Sequence, residues 1–397
     1  MNVGERHIAN RRQTWGGLLL GTCAALGLCL SQRPVAEGGQ ARTAEPVYRR
    51  WAILATPAVE ETGFVDLLTA RLSEQEDLEL IERQDLQRIT AELELAAALA
   101  PQAAGQRLEL GRLVGADGLL LLSLGAGGVG KTAGEQGQPG AANEKPFLKL
   151  VICECRYGAR LTLEYVPYRA DRLEAMARQC AELLEQTRQR FADGLRQVIA
   201  VTHFVSKNLT HDYDHYQAGF AHLVASALMS YPGVAVVETE EAHAVAGELA
   251  LRAGDIEARL VPLFVEGEYR MSGTEPGAHA AVRLTVRVSD GSRVRLALHQ
   301  GELRLDQVVR LLCERLPKEL VRLARQKATV ALDAGAQHAM LTARARVFSR
   351  LGAYEHAIGL AEASLLLQPD DVSTRLLVIG DYLRWLAVRE KAIRSEE

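Results

Sequence analysis

Apolar positions in this chain change period in a fixed order, and that order occurs twice. Trp51-Ala52-Ile53-Leu54-Ala55 is a short continuous apolar run of the kind a buried strand requires, and Phe64 to Leu72 places its apolar residues at helical spacing. Leu78-Glu79-Leu80-Ile81-Glu82 alternates like a half-buried strand and leads into a helix with Leu86, Ile89, Leu93 and Leu95 on its apolar side. A further apolar strand runs from Leu119 to Leu124. Phe147 to Tyr157 and Ala159 to Tyr165 flank a Tyr157-Gly158 turn and read as a hairpin, and Arg172 to Phe191 reads as an amphipathic helix.

The second pass opens at Val198-Ile199-Ala200-Val201-Thr202, followed by a helix from Tyr213 to Met229. Val234-Ala235-Val236-Val237-Glu238, then Ala242, Val245, Glu248-Leu249 and Leu251, align without a gap against the segment that leads through Glu82 to Glu92-Leu93 and Leu95. Val282 to Val288 and Val294 to Leu298 flank the turn Ser289-Asp290-Gly291-Ser292, and a helix from Leu305 to Arg325 closes the copy. Cys180 and Cys313 take nearly equivalent places in the two closing helices. The expected unit is therefore strand, helix, strand, helix, hairpin, helix. The fold class is α/β, with two tandem mixed-sheet modules over residues 47–196 and 197–330.

Past residue 334 the pattern is helical to the end. Gly352, Tyr354, Ala357 and Pro369 have the spacing of a tetratricopeptide repeat, in which glycine lets two helices approach and proline stops the second. One such unit is visible, with a helix at Thr374 to Arg389 to cap it, and a lone unit is expected to dock on the preceding module. Tyr354, His356 and Leu360 are the residues expected to meet a partner.

The N-terminus changes the picture from fold to location. Arg6, Arg11 and Arg12 precede an uncharged, mainly apolar stretch from Gln13 to Gln32, the pattern of an export signal over residues 1–31, with a polar linker at 32–46. The apolar part is short for a bilayer span, which needs about 20 residues, so a cleaved signal peptide and a membrane tether through residues 14–31 both fit. Thr22 and Leu28, each just before a cysteine, depart from the small residue that lipoprotein processing requires. An exported protein in the periplasm, or anchored facing it, is the resulting expectation.

With 397 residues, 46 Lys+Arg against 50 Asp+Glu, and a formal charge of -4, the chain has no basic stripe to neutralise phosphates, and nucleic acid is not an expected partner. Cys153, Cys155, Cys180 and Cys313 lack metal-site spacing and read as buried thiols. His211 and His215 lie one helical turn apart and could share a metal, but with His222 they form a stripe opposite Tyr216, Phe220 and Leu223, as a solvated face would.

Gly125-Ala126-Gly127-Gly128-Val129-Gly130-Lys131-Thr132 matches the P-loop pattern and follows an apolar strand, which would make Gly125, Gly130, Lys131 and Thr132 a nucleotide-binding set. Phosphate binding needs a helix to start at Lys131-Thr132, and the residues that follow are rich in Gly and contain Pro139. The segment 125–146 reads instead as a flexible Gly-rich loop, with no cofactor expected. No Ser/His/Asp or Cys/His set stands out, and neither do paired carboxylates, so an enzyme is not the expected class.

Leu80-Ile81-Glu82-Arg83-Gln84-Asp85-Leu86, Glu92-Leu93 and Leu110-Gly111-Arg112-Leu113-Val114-Gly115-Ala116-Asp117 together resemble the periplasmic α/β domain of the curli-secretion CsgG family, and the N-terminal domain of TolB is similar. The resemblance implies a non-enzymatic envelope protein with an envelope protein as its partner, acting in assembly or secretion, and homo-oligomers are in keeping with it. CsgG itself is a lipid-anchored outer-membrane pore. Arg156, Arg160, Arg283, Arg287 and Arg295 leave neither hairpin here with a wholly lipid-compatible face, so a scaffold is expected ahead of a channel component.

Overall fold

The computed structural model describes residues 48–82, 95–125, 146–251, 260–272, 281–323 and 333–396, without the side chains of 95, 96 and 391–396. The expected export segment, the linker, most of the helix expected around Leu86 to Leu95, and Gly130, Lys131 and Thr132 lie outside them.

The first sheet comprises β1 (Arg50–Ala55), β2 (Glu79–Leu80), β3 (Gly118–Gly125), β4 (Phe147–Glu154) and β5 (Arg160–Pro167), in the order β2-β1-β3-β4-β5. β1 pairs in parallel with β2 and β3, whereas β3, β4 and β5 are mutually antiparallel. Helices link the parallel strands because a parallel partner can be reached only by a crossover. Those on the way are α1 (Pro57–Glu60), α2 (Phe64–Leu72), α3 (Leu95–Ala98) and α4 (Ala104–Val114).

Both faces of this sheet are covered, and β3 shows why it lacks polar alternation. Leu120 and Leu122 join Phe64 and Leu68 of α2 and Cys180 and Leu184 of α5 (Leu173–Arg190), while Leu119 and Leu121 join Leu110 and Val114 of α4 on the other side.

The second sheet holds β6 (Gln197–Val201), β7 (Val205–Ser206), β8 (Val234–Val237), β9 (Leu263–Ser272), β10 (Ala281–Ser289) and β11 (Val294–Arg304). Its order is β11-β10-β9-β6-β8, with β7 paired to β9. Counted by order of appearance, and setting β7 aside, both sheets run second, first, third, fourth, fifth, with the same parallel and antiparallel pairs. The equivalence reaches single atoms. Thr56 N donates to Leu122 O at 3.0 Å, and Thr202 N donates to Val265 O at 3.0 Å, each just past the first strand.

The third strand corrects the expected unit, which leaves out the strand read at Leu119 to Leu124 and has no counterpart for it in the second copy. In each module the hairpin's first strand pairs with a central strand, β3 or β9, so the sheet is one strand wider than the sequence order implied.

The helices of the second part are α6 (His215–Leu228), α7 (Thr239–Leu251), α8 (Leu305–Arg310) running through a π-turn at Leu311–Arg315 into α9 (Leu316–Leu323), then α10 (Ala334–Arg350), α11 (Tyr354–Leu367) and α12 (Val372–Glu396). One core lies between the second sheet and α6, α8, α9, α10 and α11. The other face of that sheet contributes Val198, Ala200, Ala235, Val237 and Phe264 to the same core that fills the first module. The two modules thus share a core, and residues Pro46–Glu397 form one compact unit.

Candidate functional site

Polar chemistry is concentrated where the modules meet. Arg107 on α4 is fully buried, and its side chain donates to the carbonyls of Gly158 at 2.6 Å and Ala100 at 2.9 Å and, through Nη2, to Glu241 Oε1 at 2.9 Å. Glu241, in the first turn of α7, is also fully buried and accepts the backbone N–H of Arg160 at 2.7 Å and a hydrogen bond from the Nε of the same residue. Arg160 completes the set by pairing with Glu238 at 3.2 Å. Both oxygens of Glu241 are engaged by a cation or an amide, so the group serves as an ionic lock between modules. The loop of Gly158 is held by the same means, since Glu154, at the end of β4, accepts from the backbone N–H groups of Arg156, Tyr157 and Ala159.

The phrase from Leu110 to Asp117 has a geometric reason at each key position. A Cβ on Gly111 would fall 2.4 Å from Cys155 Sγ, and Gly115 ends α4 at φ +66°, a left-handed conformation that glycine adopts without strain. Asp117 then accepts the backbone N–H groups of Arg49 and Arg50 at 3.0 and 2.8 Å, which fixes the start of β1 beside β3. Residues 42–139 match the family model described as curli production assembly/transport component CsgG. This part of the chain is CsgG-like. The matched stretch takes in β1 to β3 and ends before β4. No curated protein and no solved structure matches the chain.

The expected site residues are dispersed around the CsgG-like module and its successor. Gly125 ends β3, where a Cβ would meet the Phe147 ring at 2.3 Å, so packing accounts for this glycine without a phosphate. The strand that follows the Gly-rich segment, β4, pairs antiparallel with β3, with Gly125 opposite Phe147. His211 is exposed and bonded to Asp214 at 2.7 Å, while His215 is half-buried against Tyr216. Among the described residues no group of three or more His, Cys, Asp or Glu is placed to hold a metal ion.

His222 corrects the solvated-stripe expectation. It lies under α11, close enough to Gly359 that a Cβ there would sit 3.2 Å from its Nε2. Burial, reinforced by the positive potential of His203, Arg344 and His356, pushes its pKa down to about 3. Cys153, Cys180 and Cys313 are buried, and burial pushes each thiol up to about 12, so these three are inert at neutral pH.

At the helical end, Leu360 is also a correction: at 6% exposure it belongs to the second core and is closed to a partner. Tyr354 is half-buried, and exposed His356 stacks on Phe348 at 5.6 Å. The structure brings together a set that sequence reasoning missed, with Ser364 Oγ 2.7 Å from His338 Nδ1 and His338 Nε2 3.3 Å from Asp371 Oδ2. Acyl transfer needs the nucleophile accessible and oxyanion donors beside it. Ser364 is fully buried, its hydroxyl also bonded to Thr342, and it sits inside α11 where the amides serve the helix. The set clamps α10, α11 and the start of α12 together.

α12 presents an unusual division of faces. Thr374 and Asp381 are its fully buried residues, Thr374 bonded to Thr342 and Asp381 to Ser349. Five of its large apolar residues, Val372, Leu376, Ile379, Leu383 and Leu386, are 54–63% exposed, while Leu377 and Val378 pack against the core of the second module. Among the described residues no helix is long and apolar enough to cross a membrane.

Proposed function

We propose that the protein is an exported envelope component that acts as a non-enzymatic assembly scaffold, with its two modules descended from a duplicated unit. The CsgG-like match favours an envelope component related to curli secretion or assembly. The observation that carries the scaffold reading is the shared core closed by the Arg107–Glu241–Arg160 lock, which gives a rigid body suited to holding partners. The matching strand order of the two sheets supports the duplication. A tetratricopeptide-like helical end supplies the partner-facing surface in this reading.

Fractionation of cells producing the full chain tests it. The expected result is recovery with the envelope, released by osmotic shock if the signal is cleaved or by mild detergent if it tethers. Recovery in the cytoplasm overturns export. Heat-resistant oligomers in the outer membrane overturn the scaffold in favour of a secretion-channel component, the reading that family resemblance alone would prefer.

A further inference from the structure

We infer that Arg190 and Arg344 form a binding site for a small oxyanion of the phosphate type, where the end of α5 meets the start of β8 and α10. The inference goes beyond the scaffold reading and does not depend on it. Charge is the first observation. Arg190 closes α5 and is half-buried, and among the described residues no carboxylate stands near enough to act on it. The ionisable group that does act on it is a second cation, Arg344. Burial, reinforced by the Arg344 guanidinium, pushes the pKa of Arg190 down to about 10. Other buried arginines of this chain are matched: Arg107 and Arg160 share Glu241, and Arg188 meets Asp77 at 2.7 Å.

The donors are as poorly matched as the charges. Arg190 Nη2 donates to Val234 O at 2.9 Å, but its Nε is buried without an acceptor. The ring of Phe191 lies 4.6 Å from Cζ and covers the flat face of the group, holding it in place without supplying a counter-charge. Arg344 Nε is likewise buried without an acceptor, and its Nη1 reaches only Met229 Sδ, at 3.6 Å. Its carboxylate neighbour, Glu164, stands 3.7 Å away, beyond the about 2.7–2.9 Å of a charge-assisted hydrogen bond. Buried donors left unpaired and cations left side by side both cost free energy that a bound acceptor would offset.

These mismatches select the ligand. Two guanidinium groups against one loosely held carboxylate leave an excess of positive charge. An oxyanion supplies the missing charge and several acceptors at once, and the planar fork of arginine N–H donors suits phosphate oxygens. A metal cation would be repelled by the same pair, and an apolar ligand would leave the donors unpaired. Both side chains are half-buried rather than sealed, with that of Arg344 27% exposed, so an ion can reach them from solvent.

Titration calorimetry of inorganic phosphate into the purified full chain, at constant ionic strength in chloride, tests the inference. Saturable binding of one phosphate per chain is expected, weakened about tenfold or more by Arg190→Gln and by Arg344→Gln. Arg344→Lys keeps the charge but loses the fork, so it should bind several-fold more weakly, and it serves if a glutamine variant fails to fold. In phosphate-free buffer Arg190→Gln should melt no lower than the wild type, because it removes an uncompensated charge. Glycerol 3-phosphate that binds at least as tightly as phosphate assigns the ligand to a phosphoryl group on a larger molecule, and binding of phosphate alone assigns it to the free ion. A wild type without saturable binding, or with a response no greater than that to added chloride, overturns the proposal. So does a phosphate affinity indifferent to both arginines, and a lowered melting temperature of Arg190→Gln with unchanged affinity makes that residue a structural cap on Val234 instead.

Discussion

Glu241→Ala is the sharpest perturbation of the fold. The substitution removes the one carboxylate that accepts from both Arg107 and Arg160, and those guanidinium groups are 0% and 5% exposed. Arg107 keeps its carbonyl partners at Gly158 and Ala100, and Arg160 keeps Glu238, so the cations are only partly orphaned. Breaking a buried pair by removing one partner costs about 3–5 kcal/mol. The retained bonds argue for the lower half of that range, or ~3–4 kcal/mol. For a unit spanning Pro46–Glu397, about 350 residues, the unfolding entropy near the midpoint is roughly 0.7 kcal/mol/K, so the melting temperature should fall by about 5 °C. Calorimetry, with urea unfolding at neutral pH, provides the measurement. Replacing the cluster with apolar residues in the triple variant Arg107→Met, Arg160→Met, Glu241→Leu should recover most of the loss, since a buried ion cluster often gives little net stability over a packed apolar one. A loss below about 1 kcal/mol for Glu241→Ala would refute the view that this carboxylate locks the modules.

Three further outcomes follow from the same geometry. Gly158→Ala should cost about 2–4 kcal/mol in urea unfolding, because φ is +72° and a Cβ would stand 2.1 Å from the Ala104 carbonyl oxygen. His222, held down to about 3 in the folded chain, is protonated near 6.5 when unfolded, so the unfolded state takes up a proton that the native state refuses. Stability should therefore fall as pH drops from 6.5 toward 4.5, by up to ~2.5 kcal/mol, and His222→Gln should flatten that slope in stability curves measured across the range. Magnesium-ATP titrated into the full chain should give no saturable binding heat, and micromolar affinity abolished by Lys131→Ala would reverse that expectation.

Much of the fold is legible in the chain because strand and helix periods are local. Leu119 to Leu122 announce a strand buried on both sides, and the helix from Arg172 to Phe191 is found within a residue of its ends. β9 was harder, because Glu266, Glu268 and Arg270 face solvent and Gly267 carries no side chain, so its apolar half shows only as alternate residues. The lock was illegible for another reason. Arg107 and Arg160 reach Glu241 across 134 and 81 residues of sequence, and an arginine in an amphipathic helix reads as part of its wet face. Sequence spacing likewise grouped His211, His215 and His222 on one face without revealing that α11 covers the last of them.

The helical end shows what spacing cannot decide. The stripe on α12 is plain in the sequence, but an apolar stripe next to a globular body is ordinarily turned inward, and here it is turned outward. That orientation bears on how the end should be perturbed. α10 and α11 place Leu341, Ala345, Phe348, Ala357 and Leu360 in the second core, together with Phe220, Leu223 and Val224 of α6. Deleting residues 334–397 would strip that core and expose α6, at a cost of several kcal/mol for the large side chains alone. Loss of a partner after deletion would then report unfolding as readily as a lost surface. Substitutions on the outward stripe leave the core untouched, so a change in assembly with an unchanged melting temperature can be assigned to α12 itself.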